Sequence, residues 1–337
     1  MLIRCFFMNK KKVLITGGAG YIGSHVVKLL GALDVNLVVL DNLSTGYEKS
    51  VLFGEFVKGD LANAELLESL FKKHNFNAVI HFAGSIVVPE SVSNPDEYYK
   101  NNTDNSLRLL RCCKEYGVKN FIFSSTAAVY GQLKGGVCSE DSPVNPINPY
   151  GRSKLMVEWM LEDFSRAYDF NYVALRYFNV AGSDYKSCLG QFNPKATHLI
   201  KIASQTATKQ RDYINIWGTD YNTPDGTCIR DYIHVLDLAE AHILALEYLF
   251  AGGSSRILNC GYSKGASVKE VLTAVGEVLG APIKSIEGSR RAGDSPKLIA
   301  SASKIQEVLH WRPKRNSLYE IVHSAYEFEK QLIQSID

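Results

Sequence analysis

A chain of 337 residues, 46% hydrophobic and 21% charged, has the length and composition of one large or two medium globular domains with a sizeable core. Its 37 basic and 35 acidic residues are well mixed, giving a net charge of +2 with no basic stripe for nucleic acid and no polybasic patch for a membrane surface. No apolar run reaches the roughly 18 residues that span a bilayer, and the start, MLIRCFFMNKKK, lacks the small-residue cleavage site of a signal peptide. Met8 is a candidate natural start, with residues 1–7 as an extension. The cysteines, Cys5, Cys112, Cys113, Cys138, Cys188, Cys228 and Cys260, form no CxxC pair, so a cytoplasmic protein with reduced thiols is expected.

In chain order, strands are predicted at KVLIT (12–16), NLVVLD (36–41), EFVKGD (55–60), AVIHFAG (78–84), NFIFSS (120–125) and YVALRYFN (172–179). Helices are predicted over 21–32, 63–73, 95–115 and 150–168. Short β-branched runs alternating with helices of this length predict a parallel sheet covered on both faces. After residue 180 the rhythm breaks. A loop at 181–195 leads to a helix near 196–208, a strand YINIWG (213–218), a turn-rich stretch 219–228, a helix 235–251, a strand ILNCGY (257–262) and a helix 267–279. The last 50 residues mix turns with helices. The expected fold is α/β, a Rossmann-like doubly wound parallel sheet with a smaller C-terminal α/β lobe. Its expected domains are 10–180 with returning segments at about 229–262, and 181–228 with 263–337.

ITGGAGYIGSH carries Gly17, Gly20 and Gly23 between a strand and a helix. Glycines there permit a tight turn and let backbone N–H groups approach a pyrophosphate at the helix N-terminus. Asp41 ends the second strand 21 residues after Gly20. An acid there accepts from a ribose 2′-OH and repels a 2′-phosphate, which favours NAD over NADP. Asp60, closing VKGD, is a candidate partner for the adenine amino group.

FSSTAAVYG leaves the fifth strand, and PYGRSK follows with Tyr150 and Lys154 four residues apart, on one face of a helix. Bringing a tyrosine from a pKa of about 10 to about 7 needs roughly 4 kcal/mol. One positive charge about 4 Å away, at an effective dielectric near 20, supplies about that much. Lys154 is one such charge, and an oxidised nicotinamide would be a second. Tyr150 is therefore the candidate base.

GxxGxxG, the Ser/Thr-rich strand end and YxxxK occur here in the order and spacing of the short-chain dehydrogenase/reductase family, and the match runs over nearly the whole chain. Within its extended branch, TGGAGYIGSH, HFAG, FIFSST, NPYGRSK, LRYFNVAG and DGTCIRDYIHVLDLA resemble the UDP-glucose (UDP-galactose) 4-epimerases. The resemblance implies an NAD-dependent epimerase of UDP-sugars that works as a homodimer through the 95–115 and 150–168 helices. NAD would take hydride from sugar C4 and return it to the other face, while Tyr150 handles the 4-OH proton. Thr126 occupies the position of the hydroxyl that bridges sugar and tyrosine, where many relatives have Ser, and Ser125 is a second candidate for that task.

The resemblance assigns cofactor contacts to Gly17, Gly20, Tyr21, Ile22, Gly23, Asp41, Asn42, Asp60, Leu61, Phe82, Ala83, Gly84, Asn101, Ser124, Tyr150, Lys154 and Tyr177. It assigns the UDP-sugar to Thr126, Phe178, Asn179, Trp217, Arg230, Arg291, Asp294 and Leu298, and the uracil region to Thr197, His198 and Leu199, where relatives commonly show Asn-Leu. Ala127 and Ala128 replace the acidic pair of nucleotide-sugar dehydratases, and alanine transfers no proton. Ile86 replaces a lysine found in some epimerases. Leu298 stands where some relatives have a bulky Tyr, so a cavity open to UDP-GlcNAc and UDP-GalNAc as well as UDP-Glc and UDP-Gal is expected. A UDP-uronate or UDP-pentose substrate is the alternative, and a non-enzymatic NAD-binding scaffold is the alternative from another class. The eight histidines show no ligand spacing, and no metal is expected.

Overall fold

The computed structural model describes residues 8, 10–184, 186, 189–194, 196–291 and 294–334. The expectations for Cys5, Cys188 and residues 1–7 lie outside these residues, as does part of the 181–195 loop.

Seven parallel strands form the main sheet: β1 (Lys12–Thr16), β2 (Asn36–Asp41), β3 (Glu55–Lys58), β4 (Ala78–His81), β5 (Asn120–Thr126), β7 (Asn171–Tyr177) and β11 (Arg256–Cys260). Their spatial order is β11-β7-β5-β4-β1-β2-β3. Along β1 the side chains alternate between two cores. Val13 and Ile15 pack with Val26, Val27 and Leu30 of helix α1 (Tyr21–Gly31). Leu14 packs on the other face with Leu67 and Leu70 of α2 (Ala64–Lys73) and Leu109 and Leu110 of α3 (Asn105–Glu115). A strand buried on both faces is apolar along its middle, and this explains the unbroken Val13-Leu14-Ile15 run between Lys12 and Thr16. The strand order reverses between β1 and β4, so the carboxyl ends of those strands open a crevice at the switch point.

The predicted helix 95–115 is interrupted. A turn of α-helix at Pro95–Tyr98 passes through a π-helical turn, Tyr99–Asp104, before α3 begins. Helix α4 (Pro149–Ala167) starts cleanly: Asn148 accepts the Gly151 N–H at 2.8 Å, and Pro149 fills a position where no N–H is needed. A Cβ at Gly151 would lie 2.7 Å from the Ala128 carbonyl oxygen, so glycine lets this helix start press against the turn at 127–130.

The predicted strand 172–179 is two strands. β7 ends at Tyr177, and β8 (Asn179–Ala181) pairs instead with Tyr232–His234 of β10 (Ile229–His234). β10 is central to a second sheet that also holds β6 (Val137–Cys138), β12 (Gly265–Ser267) and β14 (Lys297–Ala300). β9 (Ile214–Trp217) and β13 (Ser285–Gly288) form a small parallel pair. A third core joins α5 (Leu199–Ala207), α7 (Val268–Leu279) and α8 (Leu318–Gln334). Helix α6 (Val235–Phe250) packs with the main sheet. The chain thus crosses between the lobes several times: β11 and α6 belong with the main sheet, β6 and β10 with the second.

Candidate active site

Gly17 has φ +71°, and a Cβ there would sit 2.5 Å from the Ala83 nitrogen; one at Gly23 would sit 2.3 Å from the Gly17 carbonyl oxygen. Both glycines are needed by the protein's own packing. Gly20 differs. Its Cβ would meet nothing closer than the Gly17 oxygen at 3.2 Å, and it provides no side-chain cap to α1, whose first turn carries no acidic residue. An open, uncapped helix N-terminus facing the crevice fits a pyrophosphate.

Asp41 is buried at the end of β2, where Oδ2 accepts from the Ala19 N–H at 2.9 Å and Oδ1 from Leu43 N–H at 2.8 Å. It fixes the glycine loop, and its remaining lone pairs are available to a ribose hydroxyl. Burial holds its carboxyl above the ordinary value against the pull of those two N–H donors. Asn42 Nδ2 donates to Asp60 at 2.7 Å beside it. Tyr21 sends its hydroxyl across to the Gly182 carbonyl at 2.5 Å, so its side chain ties the lobes together. Ile22, Leu61 and Ala83 contribute packing, and Phe82 lies 4.8 Å from the His242 ring. Ile86 is an exposed position.

Lys154 is buried, with Nζ donating to the Ser124 carbonyl at 3.1 Å and lying 5.0 Å from the Phe123 ring centroid. Burial lowers its pKa to about 8. Tyr150 hydrogen-bonds Thr126, which draws the phenol down, but burial acts more strongly and raises it from its ordinary value. Burial thus opposes the lowering expected from the Tyr-Lys spacing. Burial desolvates both groups, and one of the three Lys154 donors goes to the Ser124 carbonyl. The Tyr98 ring stands edge-on to Tyr150 at 6.5 Å.

Thr126 and Ser125 diverge, as successive strand residues must. Thr126 faces Tyr150, and its Oγ1 also accepts from the Ala128 N–H at 3.1 Å. Ser125 is buried on the other side and donates to Glu158. Tyr177 donates to His242 Nε2, while His242 Nδ1 donates to the Leu238 carbonyl at 2.9 Å. That tautomer fits a neutral ring, which burial pushes down to about 4.

The sugar-nucleotide candidates gather around β10 and β14. Their register sets Arg230 beside Leu298. Leu298 packs on a small core containing Phe178, Ala127 and Leu155. Arg291 Nε donates to Asp294 at 2.9 Å, and Arg230 Nη2 lies 3.9 Å from the same carboxylate. Asn179 begins β8, paired with Tyr232. Trp217 is exposed and paired with Gly288 in the small sheet. Thr197 is exposed, His198 and Leu199 are partly buried at the start of α5, and His198 Nδ1 is buried without a hydrogen-bond partner.

Sequence spacing missed Asn102. The π-helical turn carries it inward, where Nδ2 donates to Ser85 O and Ser153 Oγ, both at 3.0 Å, and Oδ1 accepts from Ser85 N–H at 2.7 Å. Asn101 reaches only the Ser85 hydroxyl, at 2.8 Å, and the side chain of neighbouring Asn105. His81 was missed too. It accepts from Thr16 at 2.7 Å and donates to Ser106 at 2.8 Å, linking the glycine-loop strand to α3. The adjacent asparagines give no sequence signal for which one turns inward. Among the described residues no group of three or more His, Cys, Asp or Glu side chains could hold a metal ion, and no helix is long and apolar enough to cross a membrane.

Residues 13–261 match the NAD dependent epimerase/dehydratase family. A UDP-glucose 4-epimerase of Azospirillum brasilense is 52% identical over 326 residues, covering 96% of this chain and 94% of the relative. The crystal structure of UDP-glucose 4-epimerase from Brucella ovis in complex with NAD superposes with a TM-score of 0.91 at 44% identity, covering 94% of this chain and 97% of that one. The UDP-Glc/GlcNAc 4-epimerase from Campylobacter jejuni superposes with a TM-score of 0.84 at 48% identity, covering 95% and 99%.

Proposed function

This chain belongs to the NAD dependent epimerase/dehydratase family, and from that premise we propose that it interconverts UDP-glucose and UDP-galactose by inverting sugar C4. The observation that carries this reading is the meeting of Tyr150 with Thr126 at the carboxyl end of β5, with Lys154 one turn on in the same helix. Bound along the glycine loop, NAD would supply the hydride acceptor and donor for sugar C4 and a second positive charge in the site.

Tyr150 takes the 4-OH proton and later gives it back, so no net base is consumed. Thr126 holds the 4-OH against the phenol. Lys154 supplies the nearer fixed charge, and the buried site strengthens it by excluding water. Arg230 and Arg291 hold the diphosphate. In the protein alone Arg291 donates to Asp294 and Arg230 lies 3.9 Å from it, so one carboxylate offsets only part of their two charges and leaves a cationic pair for an anion with bidentate geometry. Conversion of UDP-galactose by purified protein without added NAD tests the reading, and Tyr150→Phe should lower kcat by about 10³-fold or more. Full activity of that variant would overturn it.

Leu298 supports the wider substrate range, since a leucine packed beside Phe178 is smaller than the tyrosine some relatives carry at this position. Leu298→Tyr should lose about 10-fold or more on UDP-GlcNAc while keeping UDP-galactose. Equal retention of both would exclude Leu298 as the specificity determinant. A homodimer through α3 and α4 is supported by Met156 and Trp159, three residues apart and exposed on α4. Trp159→Glu should then convert a sedimenting dimer to a monomer. The five described cysteines are free thiols, which supports a cytoplasmic setting.

A further inference from the structure

We propose that Ser125, Glu158 and Arg176 are positioning residues that fix the proton-transferring helix against the strand carrying Thr126. This rests on the reading of Tyr150 as the acid/base. Tyr150, Lys154 and Glu158 succeed one another at intervals of four along α4. The first two serve the crevice, whereas Glu158 is turned into the core and is 2% exposed. It has no role in the chemistry above.

Its carboxylate is nearly saturated. Oε1 accepts from the Ser125 hydroxyl and from Arg176 Nε at 3.0 Å, and Oε2 accepts from Arg176 Nη2 at 2.6 Å. Ser125 and Arg176 are register partners in β5 and β7, each immediately before a site residue, Thr126 and Tyr177. Arg176 also donates from Nη1 to the Tyr130 hydroxyl at 2.9 Å. Tyr130 donates onward to Asn259 Oδ1 at 2.7 Å, which extends the network to β11. One carboxylate therefore locks α4, β5 and β7 together directly behind the meeting of Tyr150 and Thr126.

Stability alone is a weak reason for such a pair, because desolvation offsets most of the attraction and apolar residues of similar volume do as well. Directional bonds do what apolar packing does not: they fix the rotation and register of the helix. A displacement of about 1 Å at a reacting group can cost on the order of 10²-fold in rate. Ser125 is accordingly assigned to Glu158, not to the sugar.

The test compares Ser125→Ala, the volume-conserving pair Glu158→Leu with Arg176→Met, and their combination. UDP-galactose turnover, bound NAD and thermal stability are measured for each. Ser125→Ala should lower kcat about 10-fold with KM and bound NAD unchanged. The paired replacement should lower kcat about 10²-fold with the same split, and adding Ser125→Ala should cost little more, because the hydroxyl acts through Glu158. The kcat–pH profile should move with these losses. The groups facing Tyr150 are Thr126, Tyr98 and Tyr177, and a rotated helix changes those contacts. Parent-like kcat and pH profile in folded, NAD-loaded variants would overturn the proposal. Multiplicative losses would also overturn it, by making Ser125 a direct substrate contact. Where the paired replacement does not fold, Glu158→Gln, which keeps the volume but weakens the same bonds, takes its place in the comparison with Ser125→Ala. Tyr150→Phe is the control: activity there defeats the underlying assignment of the base, separately from the positioning network.

Discussion

At the scale of single residues, the chemistry depends on how burial and charge compete at Lys154. Its pKa falls from 10.5 to about 8, so the folded protein releases a proton that the unfolded chain still holds between those values. Where the unfolded state binds more protons, stability rises with pH. Burying the ammonium is thus costly below pH 8 and less so as pH climbs toward 10.5. Lys154→Met should stabilise the nucleotide-free protein at about pH 7.5, and the advantage should shrink by about pH 9.5 in urea titrations. A difference that stays constant with pH would show that Lys154 titrates normally. The Tyr-Lys spacing was legible in the sequence because four residues place two side chains on one helical face. The state of the phenol was not, because desolvation depends on what the rest of the chain packs over it. The choice between Ser125 and Thr126 was half legible: strand alternation separates the two, but only the position of Glu158 shows which one faces inward.

At the scale of elements, the glycine loop separates two reasons for having no side chain. Gly17 and Gly23 are crowded by backbone at under 3 Å, at Ala83 and Gly17 respectively, whereas a Cβ at Gly20 would meet only the Gly17 oxygen, at 3.2 Å. Gly17→Ala and Gly23→Ala should therefore lower thermal stability even without nucleotide. Gly20→Ala should cost less stability, since its added Cβ would meet a single contact, the Gly17 oxygen at 3.2 Å, yet lose bound NAD. If Gly20→Ala retains NAD on purification, the pyrophosphate does not approach that residue. The motif alone cannot make this distinction, because all three positions read as glycine. Regular elements such as β1, β2 and α1 were legible from periodicity. The π-helical turn at Tyr99–Asp104 was not, because it inserts a wider turn into an otherwise helical pattern and moves the inward position from Asn101 to Asn102. The division of 172–179 into β7 and β8 was hidden for a related reason. Both pieces are apolar and extended, and only their partners differ.

At the scale of the molecule, the chain returns repeatedly to its first lobe, and the returns must be fastened. Asp237, in the first turn of α6, is one fastening and is fully buried. Its Oδ2 accepts from the Tyr262 hydroxyl at 2.7 Å and from the N–H groups of Lys314 and Arg315 at 3.0 and 2.8 Å, while Oδ1 meets Arg315 Nη1 at 3.1 Å. Its carbonyl also takes the Trp311 indole N–H at 3.0 Å, and that ring stacks on Tyr262. A segment with little secondary structure of its own, 311–315, is thereby held against a helix of the main sheet. None of this was legible in VLDLA, because the donors lie some 25 to 78 positions away. Asp237→Ala leaves two backbone donors and a guanidinium without their acceptor, while the Tyr262 hydroxyl keeps the Arg315 carbonyl at 3.1 Å. Breaking one side of a buried charged cluster costs about 3–5 kcal/mol. The site residues are not among its partners, so the fraction that folds should keep parental kcat at 25 °C while its thermal inactivation accelerates. Asp237→Asn retains one oxygen acceptor and should recover part of that loss. A normal inactivation rate in the alanine variant would mean that the returning segment is held by Trp311 packing alone. A reduced kcat with unchanged stability would mean that α6 communicates with the crevice through Leu238 and His242, the next residues on its path to Tyr177.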